Sequence, residues 1–243
     1  MAGLGGKELG ARQEGAIGAM FSAIAPRYDA LNRLLSLRRD VAWRRAAIAS
    51  LQCRPGERLL DVATGTADML LEAAAQCGAG VELHGVDLSG AMLERARRKL
   101  RKPGRRVPAA LLAGSGVALP YRAEEFDAVC IAFGIRNVAD RAGALAEMGR
   151  VLRPGGRLAV LEFASETEPV LGGLYGWYLR HVLLRLGGFI SGNRDAYRYL
   201  HDSVLRFPPT PAFRRLIEAV GFAQVRVMPL TFGIANLFTA RKP

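Results

Sequence analysis

The sequence predicts an α/β fold, a mostly parallel sheet flanked by helices, and three observations carry that prediction. From about residue 58 to 163, apolar runs alternate with amphipathic ones, as repeated strand–helix units require. The first strand runs through Leu59-Leu60-Asp61-Val62-Ala63-Thr64-Gly65-Thr66-Ala67 into a helix, and the second ends on an acid, Asp87. The chain has 243 residues, 50% of them apolar, which is enough for one domain with a large core.

Strands are expected at Arg58–Ala63, Val81–Val86, Ala109–Ala113, Phe126–Ala132 and Arg157–Glu162. The helices between them are Ala67–Gln76, Gly90–Arg101 and Arg141–Leu152, with Ser89 capping the second and Asp140 the third. Pro154-Gly155-Gly156 stops a helix and launches the next strand. Upstream, Gly15–Leu51 reads as two or three helices broken at Pro26 and near Ser36. Downstream come a glycine-interrupted helical stretch, a helix at Pro211–Val220 ended by Gly221, and strand-like runs at Ala223–Met228 and Ala235–Ala240 that suit a hairpin on the sheet edge. A single domain over 1–243 is expected: a frayed start (1–15), an N-terminal helical cap (16–52), a cofactor-binding core (58–163), a helical insert or substrate lid (168–209), and a C-terminal helix and hairpin (210–243).

The bulk properties narrow the classes. No apolar run of 18 uncharged residues is present, the nearest candidate, Val170 to Gly192, being broken by Arg180, His181 and Arg185. The first residues lack the apolar region of a secretory signal. Cys53, Cys77 and Cys130 are odd in number and widely spaced, which argues against a disulfide framework and a zinc site and suits a reducing cytoplasm. The net charge is +12, and Arg95, Arg97, Arg98, Lys99, Arg101, Lys102, Arg105 and Arg106 crowd one stretch. A solvated helix face explains that stretch first and an anionic membrane surface second.

The loop after the first strand is the strongest functional signal. Gly65 permits a sharp turn and close approach of a ligand to the backbone. The following helix points free N–H groups at that ligand, and Asp87 is placed to accept both hydroxyl protons of a ribose diol. These features specify a nucleoside cofactor and leave its identity open. The loop lacks the G-x-G-x-x-G spacing of a nicotinamide site. Asp61 would repel a pyrophosphate but would suit the ammonium of a methionine moiety, which favours S-adenosyl-L-methionine.

The segments LDVATGTAD, GVDLS, ALPY, FDAVCIAFGIRNV and LRPGGRLAVLEF, in that order, resemble class I methyltransferases. The likeness is greatest to the C-methyltransferases of ubiquinone and menaquinone biosynthesis (the UbiE/MenG family). Phe21-Ser22-Ala23-Ile24-Ala25-Pro26-Arg27-Tyr28-Asp29-Ala30-Leu31-Asn32 is similar to that family's first signature. Tyr197-Arg198-Tyr199-Leu200, with Ser203-Val204 and Phe207-Pro208, is similar to its second. The match spans roughly residues 20 to 240. It implies a Rossmann-like, mostly parallel seven-stranded sheet with an antiparallel C-terminal hairpin strand. It also implies cofactor contacts at Thr66, at Asp87 and its neighbour Leu88, and at Ser115-Gly116 beside the adenine, with Ala132 lining the site. The chain departs from the family pattern at three positions: Ala67 stands where glycine is usual, Ser115 where Asn or Asp is usual, and Ala132 where serine is usual.

The resemblance further implies methylation of a ring carbon on a polyprenylated quinol. Only the reduced ring pushes electron density onto carbon, so the enzyme's task is proximity, orientation and proton removal. Arg136 and Asn137, just past the fourth strand, are expected to face the ring oxygens, Arg136 stabilising a phenolate. Tyr28 and Asp29 are expected to close over the pocket. The apolar stretch Leu174–Ile190, with Trp177 and Tyr178, suits an isoprenoid chain, although core packing explains the same pattern almost as well. His84 reads as structural.

The sequence leans toward demethylmenaquinol as substrate, with the equivalent benzoquinol step of the ubiquinone pathway as the alternative. A class I methyltransferase acting on RNA or another small molecule stays open; no aromatic platform or appended RNA module is present, so no nucleic-acid partner is expected. A non-catalytic nucleotide-binding protein has only the substitutions at 67, 115 and 132 in its favour. The expected location is cytoplasmic, peripheral at the inner face of an anionic membrane where the quinol resides. A homo-oligomer stays open.

Overall fold

The computed structural model describes residues 38–78, 80–104, 106–165 and 202–243, together with Ser22, Arg33, Ser36 and Tyr199. The expected helical insert, most of the N-terminal cap, Tyr28, Asp29 and His181 lie outside the described residues.

The described elements follow one another as α1 (Arg39–Leu51), β1 (Arg58–Val62), α2 (Asp68–Cys77), β2 (Glu82–Asp87), α3 (Gly90–Leu100), β3 (Ala110–Ala113), β4 (Phe126–Ala132), a 3₁₀ turn (Ile135–Asn137), α4 (Arg141–Val151), β5 (Leu152–Phe163), α5 (Thr210–Ala219), β6 (Ala223–Leu230) and β7 (Ala235–Arg241). The seven strands form one sheet in the order β3-β2-β1-β4-β5-β7-β6. Strands β1 to β5 pair in parallel, and β7 runs antiparallel between β5 and β6.

The central strands are buried on both faces, as a parallel sheet covered by helices demands. Alternation along each strand splits their side chains between two cores. Leu59, Cys130, Ala159 and Leu161 pack with Trp43, Ile48 and Leu51 of α1 and with Met69 and Leu70 of α2. Leu60, Val129, Ile131, Leu158 and Val160 pack with Leu145 and Met148 of α4 and with Phe213 and Ile217 of α5 on the other side.

Both expected caps are present. The Ser89 hydroxyl accepts from Met92 N at 3.2 Å, and the Asp140 carboxylate accepts from Gly143 N at 2.8 Å. One boundary differs markedly. Strand β5 begins at Leu152, so Pro154-Gly155-Gly156 lies within it rather than before it. A register shift between Phe126 and Ala128 accommodates the irregular start, and Gly155 takes φ 75°. His84 is a buried structural residue, 2.8 Å from Glu82 and packed edge-on against Tyr121 and Phe126.

Candidate active site

The strand order reverses between β1 and β4, and in such sheets ligands bind in the crevice beyond the carboxyl ends of the strands at that switch. The loop after β1 (63–67) and the loop after β4 (133–137) flank this crevice. They approach so closely that a Cβ on Gly134 would stand 2.8 Å from the Ala63 Cβ. In the first loop Ala63, Gly65 and Ala67 all adopt left-handed φ, at 53°, 55° and 68°. Gly65 does so without strain, whereas the two alanines place a Cβ where the left-handed region is costly. Ala67 ends the loop as the N-cap of α2.

Asp87 organises the loop. Its carboxylate accepts Gly65 N at 2.8 Å through one oxygen and Ser89 N at 2.8 Å through the other. A carboxylate offers about four acceptor directions, so two stay available for a ribose diol. Burial raises its pKa, and the two backbone donors pull it back. Leu88 beside it is exposed, and the next residue's hydroxyl, Ser89 Oγ, lies 2.8 Å from Ser22 Oγ. Ser22, from the first signature, therefore reaches the rim of this loop. Gly116 packs toward Val62, Ser115 Oγ accepts Val117 N at 3.3 Å, and Ala132 is buried.

Asp61 lies fully buried beneath the loop. It accepts the Thr64 hydroxyl at 2.6 Å and the Cys130 thiol at 3.6 Å. Burial pushes its pKa up to about 7, against the lowering effects of the Thr64 hydrogen bond, the nearby Arg44 and Cys130. Thr66 is also buried, and its hydroxyl receives Lys99 Nζ at 3.2 Å while Lys99 pairs with Asp68. Part of the basic run is thus held in local pairs: Arg98 bonds Glu94 at 3.0 Å.

The raised Asp61 carboxyl yields a signed expectation. Its folded pKa exceeds the unfolded value, so its contribution to the unliganded fold is fully present below about pH 4. That contribution is lost as pH rises toward about 7. Binding a cationic ammonium needs the ionised form, so affinity for an ammonium-bearing cofactor should rise about tenfold per pH unit below about pH 7 and level off above it until the ammonium itself loses its proton near about pH 8. Calorimetry across pH 5.5 to 8.5, as a test range, should show this for the natural chain and a flat profile for Asp61→Asn.

The second loop holds Arg136 in an unusual setting. Its side chain is buried, and Nη1 donates to Glu162 Oε1 at 2.8 Å and to the Phe133 carbonyl. The Arg136 backbone N also donates to Glu162 Oε2 at 3.2 Å. Its Nε is buried with no hydrogen-bond partner, as is Nε of the neighbouring Arg141. Arg141 itself donates to the Arg136 carbonyl at 3.2 Å, and burial lowers its pKa. Asn137 receives the Tyr199 hydroxyl on Oδ1 at 3.2 Å, which turns its amide N–H₂ away from the tyrosine. Burial raises the Tyr199 pKa while Arg136, Arg206 and Arg141 lower it.

The structure brings together Asp61, Gly65, Thr66, Asp87 and Leu88 around one loop, and Arg136 and Asn137 on the other. Sequence reasoning missed Glu162 as a member of this constellation, and the pairing of Tyr199 with Asn137. The signal for Glu162 was a lone acid closing an apolar strand.

Comparison with known proteins decides the lineage. The model of the ubiE/COQ5 methyltransferase family matches residues 9–242. The chain belongs to the ubiE/COQ5 methyltransferase family. It is 51% identical to a ubiquinone/menaquinone biosynthesis C-methyltransferase, UbiE, of Syntrophotalea carbinolica, covering 90% of this chain and 91% of that one. It is 47% identical to a demethylmenaquinone methyltransferase of Thermus thermophilus, covering 92% and 100%. Among solved structures, an S-adenosylmethionine-dependent methyltransferase of Thermotoga maritima superimposes with TM-score 0.65 at 20% identity, covering 93% and 99%. At that identity the likeness shows the fold, the class I methyltransferase fold, and family membership makes this chain a methyltransferase.

Proposed function

We propose that the protein methylates a ring carbon of demethylmenaquinol, a polyprenylated quinol, to form menaquinol, with S-adenosyl-L-methionine as donor. Several relatives named for quinone C-methylation cover nearly the whole chain, and two of them are named for demethylmenaquinone. The observation that carries the reading is a buried arginine beside the switch crevice with a donor left over: Arg136, fixed by Glu162, keeps an unpartnered Nε. Nε of Arg44, Arg58 and Arg141 is left over in the same way, so what singles out Arg136 is its place beside the crevice.

The residues fit the donor molecule. Asp87 has acceptor capacity for the ribose hydroxyls, Gly65 and the start of α2 leave room for close backbone approach, and Asp61 is a desolvated acid that an ammonium would favour. Leu88, Ser115, Gly116 and Ala132 would line the adenine side, and Thr66 the loop. Bound there, S-adenosyl-L-methionine supplies an electrophilic methyl group on a sulfonium. Arg136 would hold the quinol oxygen as a hydrogen-bonded phenolate, raising electron density on the ring carbon. Because Glu162 neutralises the guanidinium, this depends on a directed N–H donor more than on net charge. Asn137, oriented by Tyr199, would offer its amide N–H₂ to the same ring. The ring proton displaced by the new carbon–carbon bond passes to a base or water; a guanidinium is too weakly acidic to serve as that base. Tyr28 and Asp29 would close the pocket from the N-terminal signature.

Deleting the gene and profiling cellular quinones by mass spectrometry tests this. A demethylated naphthoquinone should accumulate. Accumulation of a demethylated benzoquinone would transfer the activity to the ubiquinone step, and an unchanged quinone pool would overturn the proposal.

Among the described residues no helix is long and apolar enough to cross a membrane.

A further inference from the structure

The turn joining β6 to β7 stands at the same end of the sheet as the crevice. Glu162, which holds Arg136, pairs with Asn236 across the β5–β7 ladder, and Phe163 pairs with Ala235 one rung further on. The turn projects beyond those rungs, tied down where Ala164 N donates to the Ile234 carbonyl at 3.1 Å.

Its backbone is strained, and Phe232 at its tip is turned outward. Thr231, Phe232 and Gly233 take φ of 46°, 57° and 79°. Two successive non-glycine residues in the left-handed region cost stability. Phe232 is 68% exposed and Met228 on the adjoining strand is 45% exposed. The turn is nevertheless held in place. The Trp43 indole N–H donates to Thr231 Oγ1 at 2.8 Å, and the Trp43 ring packs on Phe133 and Phe163.

The surroundings are cationic. Arg39 lies one helical turn before Trp43 on the same face of α1. Arg38 and Arg39 are both exposed and make no ion pair with a described residue. The nearby acid, Asp40, is buried against Ser36 and Arg44. From Ala219 to Pro243, which includes the turn, the chain carries no acid.

We propose that the β6–β7 turn, with Phe232 at its tip and Arg38 and Arg39 beside it, docks the enzyme on an anionic phospholipid bilayer. The proposal rests on the reading that the substrate is a lipid quinol. An exposed aromatic tip enters the headgroup region, and the arginines meet the lipid phosphates. Docking on this face turns the crevice end of the sheet toward the bilayer. A stacking platform for RNA would call for several exposed aromatic rings, whereas Phe232 is the only aromatic residue among the strongly exposed large apolar side chains of the described residues.

Co-sedimentation of the full-length protein with vesicles tests the docking face, using phosphatidylcholine alone and phosphatidylcholine mixed with phosphatidylglycerol. Phe232→Asn is the informative variant, because asparagine tolerates the left-handed backbone. It should lower partition onto mixed vesicles about tenfold. Arg38→Glu with Arg39→Glu should remove the preference for phosphatidylglycerol. Both variants should turn over a short-chain, water-soluble demethylmenaquinol at the natural rate. Unaltered partition of Phe232→Asn overturns the docking face, as does a change from dimer to monomer in that variant, or retention on RNA with no vesicle binding. If the natural protein binds the vesicles through Phe232 yet leaves the soluble quinol unmethylated, the functional reading fails and the docking face stands.

Discussion

Arg136→Ala is expected to lower turnover by about 10²–10³-fold while leaving the dissociation constant for S-adenosyl-L-methionine within about twofold. The side chain is buried, and the two loops are placed separately. The cofactor loop is organised by Asp87 and Asp61 through contacts that do not include Arg136. Arg136 instead sits on the β4 side of the crevice, with Nη1 committed to Glu162 and Phe133 and Nε left over. A donor directed at a developing phenolate acts on the reacting state and not on the donor molecule's adenosine. Arg136→Lys should recover little, because an ammonium cannot reproduce the planar guanidinium that bonds Glu162 through Nη1 and carries its other N–H groups in fixed directions. Turnover and cofactor calorimetry measured together check this. An equal loss of both quantities would mean that Arg136 supports the loop instead of the reaction.

Glu162→Ala is expected to cost about 3–5 kcal/mol of folding stability. Glu162 is fully buried and receives three donors: Arg136 Nη1 at 2.8 Å, Arg136 N at 3.2 Å and Phe163 N at 2.9 Å. Removing it strands a guanidinium in the core beside Phe163, whose ring lies 5.7 Å from the Arg136 guanidinium carbon. Glu162→Gln keeps the shape and an acceptor oxygen and should cost less, on the order of 1–3 kcal/mol. Urea denaturation of both variants gives the comparison. A loss below about 1 kcal/mol for Glu162→Ala would mean that the pair contributes little, as exposed pairs do.

The sheet was legible because parallel strands buried on both faces write themselves as apolar runs, and β4 falls at Phe126–Ala132 as expected. Both side-chain caps were legible for a similar reason: Ser89 and Asp140 each precede a helix whose first free N–H groups need an acceptor. The start of β5 was not. Pro154-Gly155-Gly156 signals a turn locally, yet long-range pairing, with Gly155 N bonded to the Lys242 carbonyl at 2.9 Å, keeps it within the strand. The residues proposed for the cofactor stand out in the sequence because most of them are adjacent in the chain. On the proposed substrate side Arg136 meets Glu162 and Asn137 meets Tyr199, partners that stand far apart in the sequence. No local pattern encodes such pairings. Asp61 is legible in the sequence as an acid closing the first strand, but its burial and raised pKa follow from the strands around it and not from its neighbours in sequence.

Ala67 illustrates the same division. The sequence marks it as a departure from a usual glycine, and the structure supplies the reason that glycine suits the position, a left-handed φ of 68° at the N-cap of α2. The alanine is accommodated with its side chain buried.

The central claim is methyl transfer to a reduced quinone ring. The most direct measurement incubates the purified protein with methyl-labelled S-adenosyl-L-methionine and a demethylnaphthoquinone held either reduced or oxidised, and follows the label. The account predicts label on the ring carbon of the reduced compound alone. Label on neither form, or equal labelling of both, would contradict it.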